Sequence, residues 1–280
     1  MSNGNFIIHQ YARQYQWSGD CFLSIKSFYN GTARYSVKQR QYSVNDSNYL
    51  ILNECTRYNL VLDHTEPIES FCVFFSPEFV GKTISDLGSS DEQLLDDALQ
   101  KTGDIQLLER NFRHGGNISE ILRYGRGFFA SDRFKMEKEE FYHDLLTSII
   151  VQNSSSLGEA FQLTSKKKST REELYRRLYY AKDFMDCNYT EDLTLKKLAE
   201  IAQLSENHFL RNFRQVFDRS PFQYLTELKI NEAKRQLLQT DKPISTIAAD
   251  VGYSSLSNFS HYFKTRVGVS PTALRIKGDI

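Results

Sequence analysis

Two short sets of mostly polar side chains, 50 residues apart, carry the chemistry that this sequence makes legible. Asn207, Leu210, Arg211 and Arg214 form the first, and Ser257, Ser260, His261 and Lys264 the second. Within each set the positions lie three, four and seven apart, so on a helix they line one ridge. Nothing in such a ridge is arranged to make or break a covalent bond. Its donors suit non-covalent recognition, because an α-helix fits the major groove of a duplex and a guanidinium such as Arg211 can hold guanine O6 and N7 together. Asn207, Leu210, Arg211, Ser257, Asn258 and His261 are the base-edge candidates, and Lys196, Ser205, Arg214, Ser255 and Lys264 the phosphate candidates. A polar residue on an exposed helix face is ordinarily only solvated. What marks these out is the complete ridge and its repetition.

Each ridge needs a helix whose opposite face is held in a core. Leu195, Leu198, Ala199 and Ala202, then Leu204-Ser205, Phe209 and Phe213, make one such unit, closing on Ser220-Pro221. Ile244, Ile247, Ala248 and Val251, then Gly252-Tyr253-Ser254, Phe259 and Phe263, make another, closing on Ser270-Pro271. The offset is 49 residues from Ala199 to Ala248 and 50 from Phe213 to Phe263, so the second turn carries one extra residue. Each copy reads as a short amphipathic helix, a tight turn, a capping serine and a second helix with phenylalanines inward. That is the helix-turn-helix unit, twice. Between the copies Ser220-Pro221 starts a long helix with Leu225, Leu228, Ala233 and Leu237, a rigid spacer suited to one turn of DNA, about 34 Å. Ahead of them Ser169-Thr170-Arg171-Glu172 fits a capping box for a helix with Leu174, Leu178, Ala181 and Met185 as its stripe.

Charge agrees. From Leu193 onward there are 13 Lys plus Arg against 8 Asp plus Glu, a net of +5, while the remainder carries −5 and the whole chain is neutral. A basic end behind an acidic front favours phosphate contact.

The sequence from Leu193 to Arg275 resembles the DNA-binding domain of the AraC/XylS family of bacterial transcription regulators. The residues carrying the likeness are Leu195-x-x-Leu198-Ala199, Leu204-Ser205-x-x-x-Phe209-x-x-x-Phe213, Ala233-x-x-x-Leu237-Leu238, Ile244-x-x-Ile247-Ala248-x-x-x-Gly252-Tyr253 and Phe259-x-x-x-Phe263-Lys264-x-x-x-Gly268-x-Ser270-Pro271. The resemblance implies seven helices, with two reading helices entering successive major grooves on one face of the DNA. Where the family usually has Arg or Lys in the second reading helix this chain has His261, and where Gly commonly ends the first it has Asp218, which tolerates the left-handed conformation of a helix end.

The front of the chain is of another kind. With 280 residues there is room for two domains, and 40% hydrophobic with 25% charged residues is ordinary for a globular protein. There is no apolar run of 18 residues, and Met1-Ser2-Asn3-Gly4-Asn5 does not begin a signal peptide, so a protein neither exported nor membrane-spanning is expected, and the resemblance implies that it works in the bacterial cytoplasm. Cys21, Cys55, Cys72 and Cys187 are scattered, which indicates neither a disulfide framework nor a zinc site. From Phe6 to Phe79 the pattern has period two. The expected strands are Phe6–Tyr11, Phe22–Tyr29, Thr32–Val37, Gln41–Val44, Tyr49–Leu52, Tyr58–Leu62 and Ile68–Phe75. Asn30-Gly31 signals a hairpin, and Asn45-Asp46-Ser47 and Asp63-His64-Thr65-Glu66-Pro67 signal turns. Seven short antiparallel strands suggest a barrel or sandwich. The resemblance extends here more weakly, implying a cupin-like barrel that binds a small effector. Metal-binding cupins use a His-x-His pair, whereas His9 and His64 stand alone, so no metal, cofactor or enzymatic role is expected. The aromatic lining would come from Phe22, Phe28, Tyr35, Tyr42, Tyr49, Tyr58 and Phe71.

From Gly81 the periodicity is helical, with runs at Leu94, Leu95, Ala98 and Leu99, at Ile105–Phe112, at Ile118–Tyr124 and at Glu137–Val151. Phe141, Leu145 and Ile149, flanked by Leu146 and Ile150, make a stripe wide enough to pair with a second copy, and the resemblance implies dimerisation here. Asn153–Lys168, Ser-rich and ending in Lys166-Lys167-Lys168, reads as a linker.

The expected architecture is therefore a two-domain α+β chain. Residues 1–152 form an effector-binding and dimerisation domain, with a barrel over 6–80 and helices over 90–152; 153–168 is the linker; 169–280 is all-α, with helix-turn-helix units at 194–217 and 244–267. The function read from this is a sequence-specific regulator of transcription, modulated by a small molecule in the barrel. Its partners would be promoter DNA, the effector, a second copy and, for an activator, RNA polymerase. One alternative makes the front a ligand-free dimerisation or partner-binding module; another is an enzyme with a DNA-binding tail, against which the absent His-x-His and clustered cysteines speak.

Overall fold

The computed structural model describes residues 4–38, 40–90, 107–159 and 168–278. The chain divides into two compact units, Met1–Glu172 and Glu173–Ile280. In the first, the described residues form one antiparallel sheet of seven strands, curled into a nearly closed barrel. β1 (Phe6–Cys21) runs along one edge of β6 (Thr56–Phe75), whose other edge takes β3 (Ala33–Val37) and then β2 (Leu23–Tyr29). β4 (Arg40–Val44) lies outside β3, and β5 (Asn48–Leu52) lies outside β2 with β7 (Asn111–Arg113) beyond it. Asn111 Nδ2 donates to the carbonyl of Ser43 at 3.1 Å, drawing β7 towards β4.

Alternation sorts the side chains between two cores. Phe28, Tyr35, Val37, Tyr42, Val44, Leu50, Leu52, Tyr58 and Leu60 pack inside the barrel. Leu23, Ile25, Tyr49, Ile51, Phe71, Val73 and Phe75 turn the other way, onto α2 (Gly116–Phe128) and α3 (Asp132–Glu159). β2 is thus covered on both faces, and every residue from Leu23 to Phe28 is buried. The helix that follows β6 is α1 (Pro77–Ser90).

Several sequence expectations change here. Asn30-Gly31 joins no hairpin: β2 pairs with Glu69–Phe75 and β3 with residues 59–61, so the two lie end to end along β6. The dipeptide makes a corner instead. Asn30 takes φ 63°, and a Cβ on Gly31 would come within 2.6 Å of Ile68 Cγ1, so the same left-handed tolerance that favours hairpins serves a bend. The tight hairpin is at β3–β4, where Val37 pairs with Arg40 and Lys38 has φ 54°. Asp63–Pro67 is no turn either, but a bulge within β6. Ala12 pairs with Ile68 and Gln14 already with Asp63, leaving Arg13 opposite the excess, where Pro67 needs no ladder partner. Ile105–Phe112 is not helical over its described part, because Leu107–Glu109 lead directly into β7. The run at Leu94–Leu99 and the lysines Lys166-Lys167 lie outside the described residues.

Phe141, Leu145 and Ile149 are 4%, 0% and 1% exposed, locked with Leu146 and Ile150 against Phe71, Val73 and Phe75 of the sheet. A doubly covered sheet needs that whole stripe, so these three side chains are core and unavailable to a second copy. Asn153, read as the linker's first residue, is a buried tie inside α3 whose Oδ1 accepts from the amide of Leu108 at 2.8 Å, and the helix continues to Glu159.

Seven helices follow among the described residues, the first of them beginning just ahead of the second unit: α4 (Lys168–Asn188), α5 (Leu195–Ile201), α6 (Glu206–Phe217), α7 (Pro221–Gln239), α8 (Ile244–Asp250), α9 (Leu256–Val267) and α10 (Pro271–Gly278). Local chemistry sets their ends. Thr194, Ser205, Ser220 and Ser255 cap with side-chain oxygens, Ser220 and Gln223 complete a capping box ahead of Pro221, and α6 and α9 stop at left-handed Asp218 and Gly268. Leu178, Ala181 and Met185 of α4 are fully buried. Lys182 and Asp186 pair at 2.8 Å, with the Tyr224 hydroxyl donating to Asp186, which ties α4 to α7. Burial alone would depress the Lys182 amine, but Asp186, Tyr224 and Asp183 hold it above its ordinary value.

Candidate nucleic-acid interface

The two helix-turn-helix units are α5–α6 and α8–α9. Phe209, Phe213, Phe259 and Phe263 are wholly buried, which fixes the rotation of α6 and α9 about their axes. Asn207, Arg211 and Arg214 of α6, and Ser257, Asn258, His261 and Lys264 of α9, are thereby exposed, and Leu210 and Ser260 half-buried. Lys196 is exposed on α5. Among the described residues Lys196, Arg211, Arg214 and Lys264 have no side-chain hydrogen-bond or ion-pair partner, so their charges are free to meet an anion. Arg219, by contrast, is engaged with Glu227, and Lys242 with Asp250 at 2.7 Å. Ser205 and Ser255 accept from the amides of His208 and Asn258, at 3.4 Å each, leaving each hydroxyl proton to donate outward.

The duplication reaches further back than the paired motifs. Arg177 of α4 donates to the carbonyl of Gln203 at 3.4 Å, and Lys229 of α7 donates to the carbonyl of Gly252 at 3.0 Å. Gln203 and Gly252 occupy the same turn, both left-handed, with φ 53° and 79°. Each unit therefore has three helices, the first carrying a cation that closes the turn of the other two. This pairing escaped the sequence pattern because Arg177 and Lys229 sit at a different offset, 52 residues, from the rest of the repeat. Gly252 is also a point of close approach, since an added Cβ would lie 2.4 Å from the carbonyl oxygen of Thr190. That contact fixes the second turn against the chain between α4 and α5.

A family model described as a helix-turn-helix domain matches residues 198–277. This part of the chain is an AraC-type helix-turn-helix domain. The bifunctional transcriptional activator/DNA repair enzyme AdaA of Bacillus subtilis (strain 168) is 34% identical over 93 residues, 33% of this chain and 44% of that protein. The melibiose operon regulatory protein of Escherichia coli (strain K12) is 36% identical over 92 residues, 33% of this chain and 30% of that protein. The match thus spans less than half of either relative. Among solved structures, a transcriptional regulator from Chromobacterium violaceum, described as an AraC-type DNA-binding domain-containing protein, is 29% identical with a TM-score of 0.35, covering 36% of this chain and 91% of that one. In the AraC-type domain of this chain every ridge position recurs 50 residues on, so Arg211 corresponds to His261 and Arg214 to Lys264. The ridges differ at one flank: Asn212 is buried, its Nδ2 donating to the His208 carbonyl at 2.6 Å, whereas its counterpart Tyr262 is 50% exposed.

The residues expected to line the barrel separate. Phe28, Tyr35, Tyr42 and Tyr58 are inside, and Phe22 is half-buried at the edge beside Phe6. Tyr49 is not in the barrel. It faces the helices, stacks on Phe112 and donates to Gln152 at 2.6 Å, as does Phe71 face that side. Sequence reasoning missed Lys26, which stands in the barrel core 1% exposed. Its amine donates to the Tyr58 hydroxyl at 3.2 Å and sits 3.6 Å from the centroid of Phe74. No carboxylate pairs with it among the described residues, and burial pushes it down to about 8. A lysine in an alternating strand looks solvent-facing until the second covering layer is known. No helix of the described residues is long and apolar enough to cross a membrane.

Proposed function

We propose that the chain is a sequence-specific DNA-binding regulator of transcription whose front barrel takes a small effector. The observation that carries the first part is the doubled ridge of exposed, unpartnered donors, Arg211 and Arg214 in one copy and His261 and Lys264 in the other, held out by phenylalanines buried on the opposite face. In this reading α6 and α9 enter major grooves, with Asn207, Leu210, Arg211, Ser257, Asn258 and His261 at base edges and Lys196, Ser205, Arg214, Ser255 and Lys264 at phosphates. The test is Arg211→Ala on duplexes selected from random DNA. The expected result is a loss of about 1–3 kcal/mol with relaxed preference at one base pair. Equal weakening on every sequence would make Arg211 a phosphate contact, and failure of the unaltered chain to enrich any sequence would sink the reading.

Lys26 supports the second part. A core built only for packing gains nothing from a cation lacking a counter-charge. An effector with an acid group supplies that charge among the rings of Tyr35, Tyr58 and Phe74, and it regulates by binding one arrangement of the chain better than another. Small carboxylic acids should raise the melting temperature of the barrel, their neutral amides should not, and Lys26→Met should abolish the difference. A screen in which acids and amides behave alike removes the acid effector.

A further inference from the structure

The two reading helices present different chemistry on corresponding rows, and we infer that the DNA site is correspondingly unequal: a half-site anchored on guanine under α6, and a half-site read by thymine methyl and adenine contacts under α9, with Leu256 the residue that meets the thymine methyl. This rests on the reading of the chain as a DNA-binding protein and goes beyond it by naming the bases. On α6 one row carries Glu206, Leu210 and Arg214, and the next Asn207, Arg211 and Gln215. On α9 the equivalent rows carry Leu256, Ser260 and Lys264, and Ser257, His261 and Thr265. Guanine is distinguished by two acceptors held by one fork, which Arg211 has and His261 lacks. A single imidazole N–H can reach N7, but both purines present N7, so His261 separates purine from pyrimidine and not guanine from adenine. Adenine is distinguished by an acceptor beside a donor, the pair an amide matches, and Asn258 in the first turn of α9 is an exposed amide.

Leu256 is the remaining piece. It opens α9, follows the cap Ser255 and is 46% exposed, although the positions that hold the helix down, Phe259 and Phe263, are fully buried. It stands in the first turn of α9 beside Ser257 and Asn258, and the first turn of a reading helix is the part that reaches base edges on the groove floor. There the apolar feature is the C5-methyl of thymine. In the first copy its counterpart is Glu206, which no thymine methyl would favour, and the leucine of that row, Leu210, lies a turn further on and half-buried, so an apolar contact there would sit beside the guanine that Arg211 holds.

The experiment is selection from random duplexes with the full chain and with Arg211→Ala and Leu256→Ser, followed by binding measurements in which single thymines are replaced by uracil, removing only the methyl. Both residues are exposed, so the variants should fold as the unaltered chain does. Enriched duplexes should carry a guanine in one half-site whose preference, about 5- to 150-fold for a bidentate contact, is lost in Arg211→Ala alone. One thymine-to-uracil change in the other half should weaken the unaltered chain about fourfold, the equivalent of one buried methylene, and leave Leu256→Ser indifferent. Guanine of equal strength in both halves, or a uracil effect that persists in Leu256→Ser, overturns the inference while leaving DNA binding intact. Absence of any enriched sequence would remove both.

Discussion

Lys26→Met should change the pH dependence of stability in a direction set by the barrel. The amine is buried with one hydrogen bond, to Tyr58, and the titratable groups that act on it are the thiols of Cys72 and Cys21, neutral at pH 7. Burial moves it from 10.5 to about 8. That displacement corresponds to about 3 kcal/mol between the charged and neutral forms in the folded state. The unfolded chain therefore holds more protons between about 8 and 10.5, and the stability of the unaltered chain gains that amount as pH rises through this window, with the penalty fully present below it. Methionine has no proton to lose. Its advantage over lysine should be greatest at pH 7 and should shrink by about 2.5 kcal/mol by pH 10. The thiols of Cys21 and Cys72, pushed up by burial, act with the opposite sign above their ordinary value; they are present in both chains and differ only by the pull of the Lys26 charge, which fades as that amine loses its proton. The assay is urea unfolding followed by Trp17, the single tryptophan, which packs on Tyr58 at 4.6 Å between centroids and so reports the barrel. Parallel pH curves for the two chains would refute the picture of an amine buried without a counter-charge.

Gly252→Ala should destabilise the second unit by about 2–4 kcal/mol, combining a left-handed residue with a Cβ driven into the Thr190 carbonyl, as read by chemical unfolding. At the equivalent turn Gln203→Gly should stabilise by about 1 kcal/mol, because there the left-handed residue already bears a side chain. Leu145→Ala should cost about 2–5 kcal/mol independently of protein concentration. A loss that varied with concentration in sedimentation and melting would move Leu145 to an interface between copies. On the acid side, burial alone would raise the Glu69 carboxyl, but Arg126 at 2.8 Å and His9 at 2.9 Å hold it below 4.5. Its contribution to stability is present above that value and lost as pH falls below it, so Glu69→Gln should be the less stable chain at pH 7 and lose less on acidification.

The sequence by itself determined whatever is decided within a turn or two of chain. Helix caps at Ser205, Ser220 and Ser255, the left-handed stops at Asp218 and Gly268, the inward phenylalanines and hence the exposed ridges follow from local spacing, and duplication doubled the signal. Tertiary structure decided what depends on a partner distant in the chain. Asn30-Gly31 could turn a hairpin or a corner, and only the pairing of both β2 and β3 with β6 chose the corner. The stripe at Phe141, Leu145 and Ile149 could have met a second copy, and only the apolar outer face of the sheet claimed it. Tyr49 and Phe28 look alike in sequence, yet register sends one to the helices and the other into the barrel. Lys26 is the extreme case, since a strand covered on one face would have left its charge in water, and the second layer of packing is what removed it.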